Sequence, residues 1–231
     1  MKLHLALAGF GNVARRFVRL LRERESELAA LDLEPVIVGI ATRRHGVIFS
    51  PRGIDAVEQA TRLEHGAPML DDGVASPVKD TFAMIQRTAD LWQPAALVET
   101  TVLDITAGQP AIDHVRAALR AGLHVVTANK GPAAFAARAL TAEAGDRGVS
   151  FLFEGAVMDG VPVFNLVRDT LPAARILGFE GVLNTTTNQM LVAIERGEPA
   201  QAALARMQAD GIAEADPSLG LDGWGGAAKK G

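Results

Sequence analysis

The sequence predicts an α/β protein: a doubly wound parallel sheet over residues 1–132, then a second α+β domain over residues 133–231. Three observations carry this. Short apolar runs alternate with amphipathic helical stretches through the first 132 residues, the pattern of repeated βαβ units. The chain opens as strand, glycine turn and helix, with Gly9-Phe10-Gly11-Asn12-Val13-Ala14 at the turn. Past Pro132 the alternation gives way to helical stretches with two further strand-like runs. A sheet of this kind that begins on G-x-G-x-x-G/A is Rossmann-type.

Taken in order, Leu3, Leu5 and Leu7 with small residues between them form a run that suits a strand buried on both faces. In the turn that follows, Gly9 permits the sharp bend, Gly11 lets main chain approach a pyrophosphate, and Ala14 keeps the helix close to the sheet. The helix start then presents unpaired N–H groups to phosphate. Residues 13–28 read as one amphipathic helix, with Arg22, Glu23, Arg24, Glu25 and Glu27 facing water. Residues 35–41 are a second buried strand, and its tip reads Ala41-Thr42-Arg43-Arg44-His45. An NAD-preferring site places an acidic residue there, whereas Asp32 and Glu34 sit at the other end of the strand. Arg43 and Arg44 suit a 2′-phosphate, so NADP is expected over NAD.

Residues 45–80 are punctuated by Gly and Pro around a short helix at 54–64 and read as a surface excursion. A short helix at 81–90 leads to a strand, Ala95-Ala96-Leu97-Val98-Glu99, and Glu99-Thr100-Thr101 marks another strand-end loop. Residues 110–121 form a helix capped by Gly122, residues 123–127 a strand, and Ala128-Asn129-Lys130-Gly131-Pro132 its loop. Beyond it the sequence predicts helices at 133–144, 190–195 and 199–209, and strands at 149–153 and 175–182.

Composition narrows the function. Lys and Arg number 23 against 27 Asp and Glu, a formal charge of −4, which argues against a nucleic-acid partner. With no cysteine there is no disulfide, thiolate ligand or thiol nucleophile. The apolar runs are strand-sized and the chain enters its first strand with no secretory pattern, so a cytoplasmic protein without a membrane partner is expected. His4, His45, His65, His114 and His124 are too scattered to read as a metal cluster, and neither G-x-S-x-G nor H-E-x-x-H occurs.

Five segments in this order resemble homoserine dehydrogenase: GFGNVA at 9–14, TANKGP at 127–132, FEGAVMDGVPV at 153–163, GVLNTTTNQML at 181–191 and GIAEADPSLGLDGWGGAAKK at 211–230. The resemblance implies a homodimer that interconverts L-homoserine and L-aspartate 4-semialdehyde with a nicotinamide cofactor. It implies that Lys229 transfers the proton, that Lys130 lies between nicotinamide and substrate, and that Glu214 binds the substrate ammonium. It also implies that Thr100 and Gly211 meet the cofactor, and that main-chain carbonyls of Glu154, Val157, Asp159 and Val161 hold a sodium ion as in some relatives. The chemistry agrees, because two lysines sharing a site depress each other's pKa towards a useful range.

The resemblance has two departures. The family's closing motif carries aspartates where this chain has Gly220 and Gly225, the second facing substrate in the family pattern. The chain also stops at Gly231, two residues after Lys229, where the pattern continues. Cofactor binding is therefore expected to survive better than turnover. Two further readings stay open: a non-catalytic dinucleotide-binding homologue, and a dehydrogenase for another small amino or hydroxy acid.

Overall fold

The computed structural model describes residues 1–71, 78–158, 160–181 and 185–210. The chain divides into two compact units, Met1–Val161 and Pro162–Gly231. The division falls later than residue 132, because residues 151–152 pair with residues 125–126 and the helix over 130–147 packs against that sheet.

The first unit is a six-stranded sheet in the order β3-β2-β1-β4-β5-β6. It comprises β1 (Lys2–Ala8), β2 (Glu34–Thr42), β3 (Gly46–Phe49), β4 (Ala95–Glu99), β5 (His124–Thr127) and β6 (Phe151–Leu152). Strands β2, β1, β4, β5 and β6 run parallel, and β3 returns antiparallel along β2. Helices α1 (Asn12–Glu23), α2 (Glu25–Ala30), α3 (Ala56–Glu64), α4 (Thr81–Leu91), α5 (Ala111–Arg120) and α6 (Lys130–Arg147) connect them.

Side-chain alternation along the central strands builds a core on each face. Leu5 and Leu7 of β1 pack with Ala96 and Val98 of β4 against Ala14 and Val18 of α1 and Ala60 of α3. Ala6, Ala8 and Leu97 point the other way, towards Met84 and Ile85 of α4, Val115 and Leu119 of α5, and Leu140 of α6. Both faces of β1 and β4 are thereby dry, which is why these strands read as continuous apolar runs.

Several elements differ from expectation. The helix expected over 13–28 breaks at Arg24 (φ −106°, ψ 18°) into α1 and α2. The run Arg22-Glu23-Arg24-Glu25-Ser26-Glu27 offers no apolar residue to hold another turn against the sheet. Strand β3 went unforeseen. Its three apolar residues, Val47-Ile48-Phe49, become a strand through pairing with β2, with Thr42 Oγ1 accepting the His45 N–H at 2.8 Å across the turn. Helix α6 begins at Lys130 rather than 133, because the Asn129 side chain accepts the Gly131 N–H and caps it.

In the second unit the described residues form α7 (Val163–Thr170), α8 (Thr185–Glu195) and α9 (Ala200–Ala209). Met190 and Ala193 of α8 and Ala203 and Met207 of α9 make a small buried cluster. Residues 175–181 of the strand expected at 175–182 pair with no strand, leaving Ile176, Leu177 and Phe179 exposed; Val182 lies outside the described residues. Among the described residues no helix is long and apolar enough to cross a membrane.

His114 on α5 is buried edge-on to Phe82 of α4, ring centroids 5.1 Å apart, and its Nδ1 has no hydrogen-bond partner among the described residues. Burial holds its pKa below the ordinary histidine value of 6.5, against the opposing charges of Asp113 and Asp80. The unfolded chain therefore takes up the proton first, and stability falls as pH drops through 6.5. His114→Leu should flatten the decline in melting temperature between about pH 7 and pH 5, measured by thermal denaturation across that window. An unchanged slope contradicts the assignment.

Candidate active site

In an open α/β sheet, ligands bind beyond the carboxyl ends of the strands, at the point where strand order reverses. Here that point lies between β1 and β4, whose last residues, Ala8 and Glu99, are in register. The glycine turn leaves β1 on one side of the crevice, and Thr100-Thr101 leave β4 on the other.

Gly9 binds the two sides together. Its φ is +88°, and a Cβ there would lie 2.6 Å from the carbonyl carbon and oxygen of Thr100. Its N–H donates to Ala41 O at the end of β2 (2.9 Å), while the Thr100 N–H donates to Ala8 O (2.8 Å). The Thr100 hydroxyl donates to Gly9 O at 3.2 Å. Thr100 thus sits against the glycine turn, with its hydroxyl proton already engaged.

Gly11 is a glycine for a different reason. Its φ of −82° suits any residue, and a Cβ built on it would have nothing within 4 Å. Nothing among the described residues requires a glycine there, and the space at the start of α1 is open. No side chain caps α1 and no acidic residue stands in its first turn, which leaves that end of the helix suited to an anion. Ala14 is fully buried and Phe10 nearly so; the Phe10 carbonyl accepts from Arg15 Nε at 3.0 Å. Asn12 and Val13 are exposed on the first turn of α1, and together these residues fit a pyrophosphate.

Arg43 and Arg44 lie exposed at the tip of the β2–β3 hairpin, on the same edge of the sheet, and neither forms an ion pair with any described residue. Lys130, half-buried, is the first residue of α6. The loop after β4 packs directly on this turn: a Cβ on Gly131 would lie 2.8 Å from Gly108 Cα. Gly9, Phe10, Gly11, Asn12, Val13, Ala14, Arg43, Arg44, Thr100 and Lys130 are therefore all gathered at one edge.

Gly211, Glu214, Gly220, Gly225, Lys229 and Asp159 lie outside the described residues. Of the carbonyl set expected to hold sodium, Glu154 stands in a 3-10 turn, Val157 follows it and Val161 is exposed. That set gains no support from this arrangement. Sequence reading gave no role to Glu99, Thr127, Asn129 or Gly108, which are linked to one another or to Gly131, the residue after Lys130; the unusual acid at the end of a fully buried strand was the available signal.

The fold and glycine turn define a NAD(P)-binding domain of the Rossmann class. The chain belongs to the homoserine dehydrogenase family: residues 9–154 match the family model "homoserine dehydrogenase, NAD binding domain", and residues 162–230 match "homoserine dehydrogenase". The two matches meet where the two compact units divide. The chain is 37% identical to a NAD(+)-dependent homoserine dehydrogenase of Pseudomonas canavaninivorans, over 95% of this chain and 61% of that protein. It is 31% identical to a homoserine dehydrogenase of Sulfurisphaera tokodaii, over 97% of this chain and 65% of that protein. The chain thus spans just under two thirds of these relatives' length. A hyperthermophilic archaeal homoserine dehydrogenase solved with NADPH shares the fold, with a TM-score of 0.76 at 24% identity over 99% of this chain and 67% of that one.

The two glycines should separate in experiment. Gly9→Ala should destabilise the protein by about 1–3 kcal/mol, from its positive φ and the approach of Thr100. Gly11→Ala should keep its melting temperature within a few degrees and weaken nucleotide binding about tenfold or more. Thermal denaturation with fluorescence titration of NADPH and NADH measures both. Full nucleotide affinity in Gly11→Ala contradicts the assigned site.

Proposed function

We propose that this chain carries the homoserine dehydrogenase reaction, interconverting L-homoserine and L-aspartate 4-semialdehyde, as a homodimer and with NADP preferred. The observation that carries the reading is the placing of Lys130 on the same sheet edge as an open glycine turn, with Thr100 between them in strand order. The bound nicotinamide supplies the hydride donor or acceptor. The chain must then orient the substrate carbon and handle one proton. In this reading Lys130 and Lys229 gather the substrate oxygen, and one of them, Lys229, passes the proton. Glu214 holds the substrate ammonium, and Thr100 and Gly211 meet the cofactor.

The preference for NADP rests on Arg43 and Arg44, exposed at the hairpin tip where an acidic residue would select NAD. The Pseudomonas canavaninivorans relative is named for NAD(+), so the arginines are the point to test. Arg43→Ala should weaken NADPH about tenfold while changing NADH less than about twofold, measured by fluorescence titration. Equal losses contradict the preference.

Turnover is tested by following NADPH absorbance with aspartate semialdehyde, for the chain as it stands and for Gly225→Asp. Lys130→Ala should reduce kcat by about 100-fold or more. Tight NADPH binding without turnover favours the non-catalytic homologue. Activity that appears only with Gly225→Asp identifies that glycine as a lesion, and activity on a different aldehyde favours a substrate other than the semialdehyde.

A further inference from the structure

Glu99 ends β4 with no exposed surface, and none of its hydrogen-bond partners is a cation. Its carboxylate is met by donors on both oxygens. Oε1 accepts the Thr101 N–H at 2.8 Å and the Thr101 hydroxyl, and Oε2 accepts the Thr127 hydroxyl at 2.7 Å. From Thr127 the path continues: its oxygen accepts the Asn129 N–H at 3.0 Å. The Asn129 side chain then divides its two ends. Its Oδ1 accepts the Gly131 N–H at 3.0 Å, capping α6, and its Nδ2 donates to Thr101 O at 3.1 Å, which returns the path to Glu99. The ring joins the ends of β4 and β5 to the first turn of α6, whose first residue is Lys130.

We propose that Glu99 is a positioning residue for Lys130: through Thr127, Thr101 and Asn129 it fixes the turn from which the Lys130 amine projects. The inference rests on the reading of Lys130 as a group that meets substrate. All three groups meeting the carboxylate donate to it, so a residue that only accepts suits this place. Burial pushes the Glu99 carboxyl above the ordinary carboxylate range, against the pull of the bonds from Thr101 and Thr127. A buried acid is costly to keep for packing alone, since an apolar residue of like volume would serve a core better.

The full chain tests this with Glu99→Gln, Thr127→Val and Thr127→Ser. Four quantities are read: kcat and KM with aspartate semialdehyde, NADPH affinity, melting temperature, and the rate at which acetic anhydride labels Lys130, followed by peptide mass spectrometry. Glu99→Gln should lower kcat about 10- to 100-fold, because small displacements of a reacting group are costly, with KM and NADPH affinity within about threefold. Lys130 should label several-fold faster in it. Thr127→Val should reproduce both changes and Thr127→Ser should restore them, a pair that decides the matter if Glu99→Gln does not fold. Unchanged kcat and labelling overturn the proposal, as does a loss spread equally over kcat, NADPH affinity and melting temperature, which marks a merely structural acid. If the unaltered chain does not turn over the semialdehyde, the activity reading fails by itself, and the labelling rates alone uphold or overturn the role of Glu99.

Discussion

The constraint on which the sheet edge depends is the contact of Gly9 with the main chain of Thr100. A methyl group at position 9 would stand 2.6 Å from the Thr100 carbonyl, so the first crossover can pass this close to β4 only without a side chain. Ala41 O and Ala8 O take the amides of Gly9 and Thr100, so the ends of β2, β1 and β4 are sewn together at one level. The start of α1, the tip of the hairpin and the loop towards Lys130 all take their places from that seam. A local steric requirement of one residue thereby sets the floor of the crevice.

Much of this was legible in the sequence, and the legible parts share a cause. Strands β1, β2 and β4 are buried on both faces, so their apolar runs announce them whatever their neighbours. Ala95–Glu99 was read to the residue for that reason. What was hidden depends on partners distant in sequence. Val47-Ile48-Phe49 is too short to signal a strand and becomes one by lying on β2. The run at 175–181 has the opposite history, since its apolar residues pair with no strand among the described residues. At the site, the glycine turn announced itself through spacing, whereas the ring around Glu99 joins residues 28 positions apart and leaves no local pattern.

Two kinds of glycine meet at the nucleotide edge. Gly9 and the Gly108–Gly131 pair are compelled by the protein's own atoms, which would collide with any side chain. Gly11 is compelled by none of the described residues, and the space beside it is open. Spacing alone does not make that distinction.

The hairpin between β2 and β3 holds its tip by the hydroxyl of Thr42 and leaves the next side chains free in water. Residues 43 and 44 can therefore be exchanged with little effect on the remainder of the domain. If these arginines meet a 2′-phosphate as proposed, the choice of electron carrier hangs on that tip and leaves the sheet beneath uninvolved.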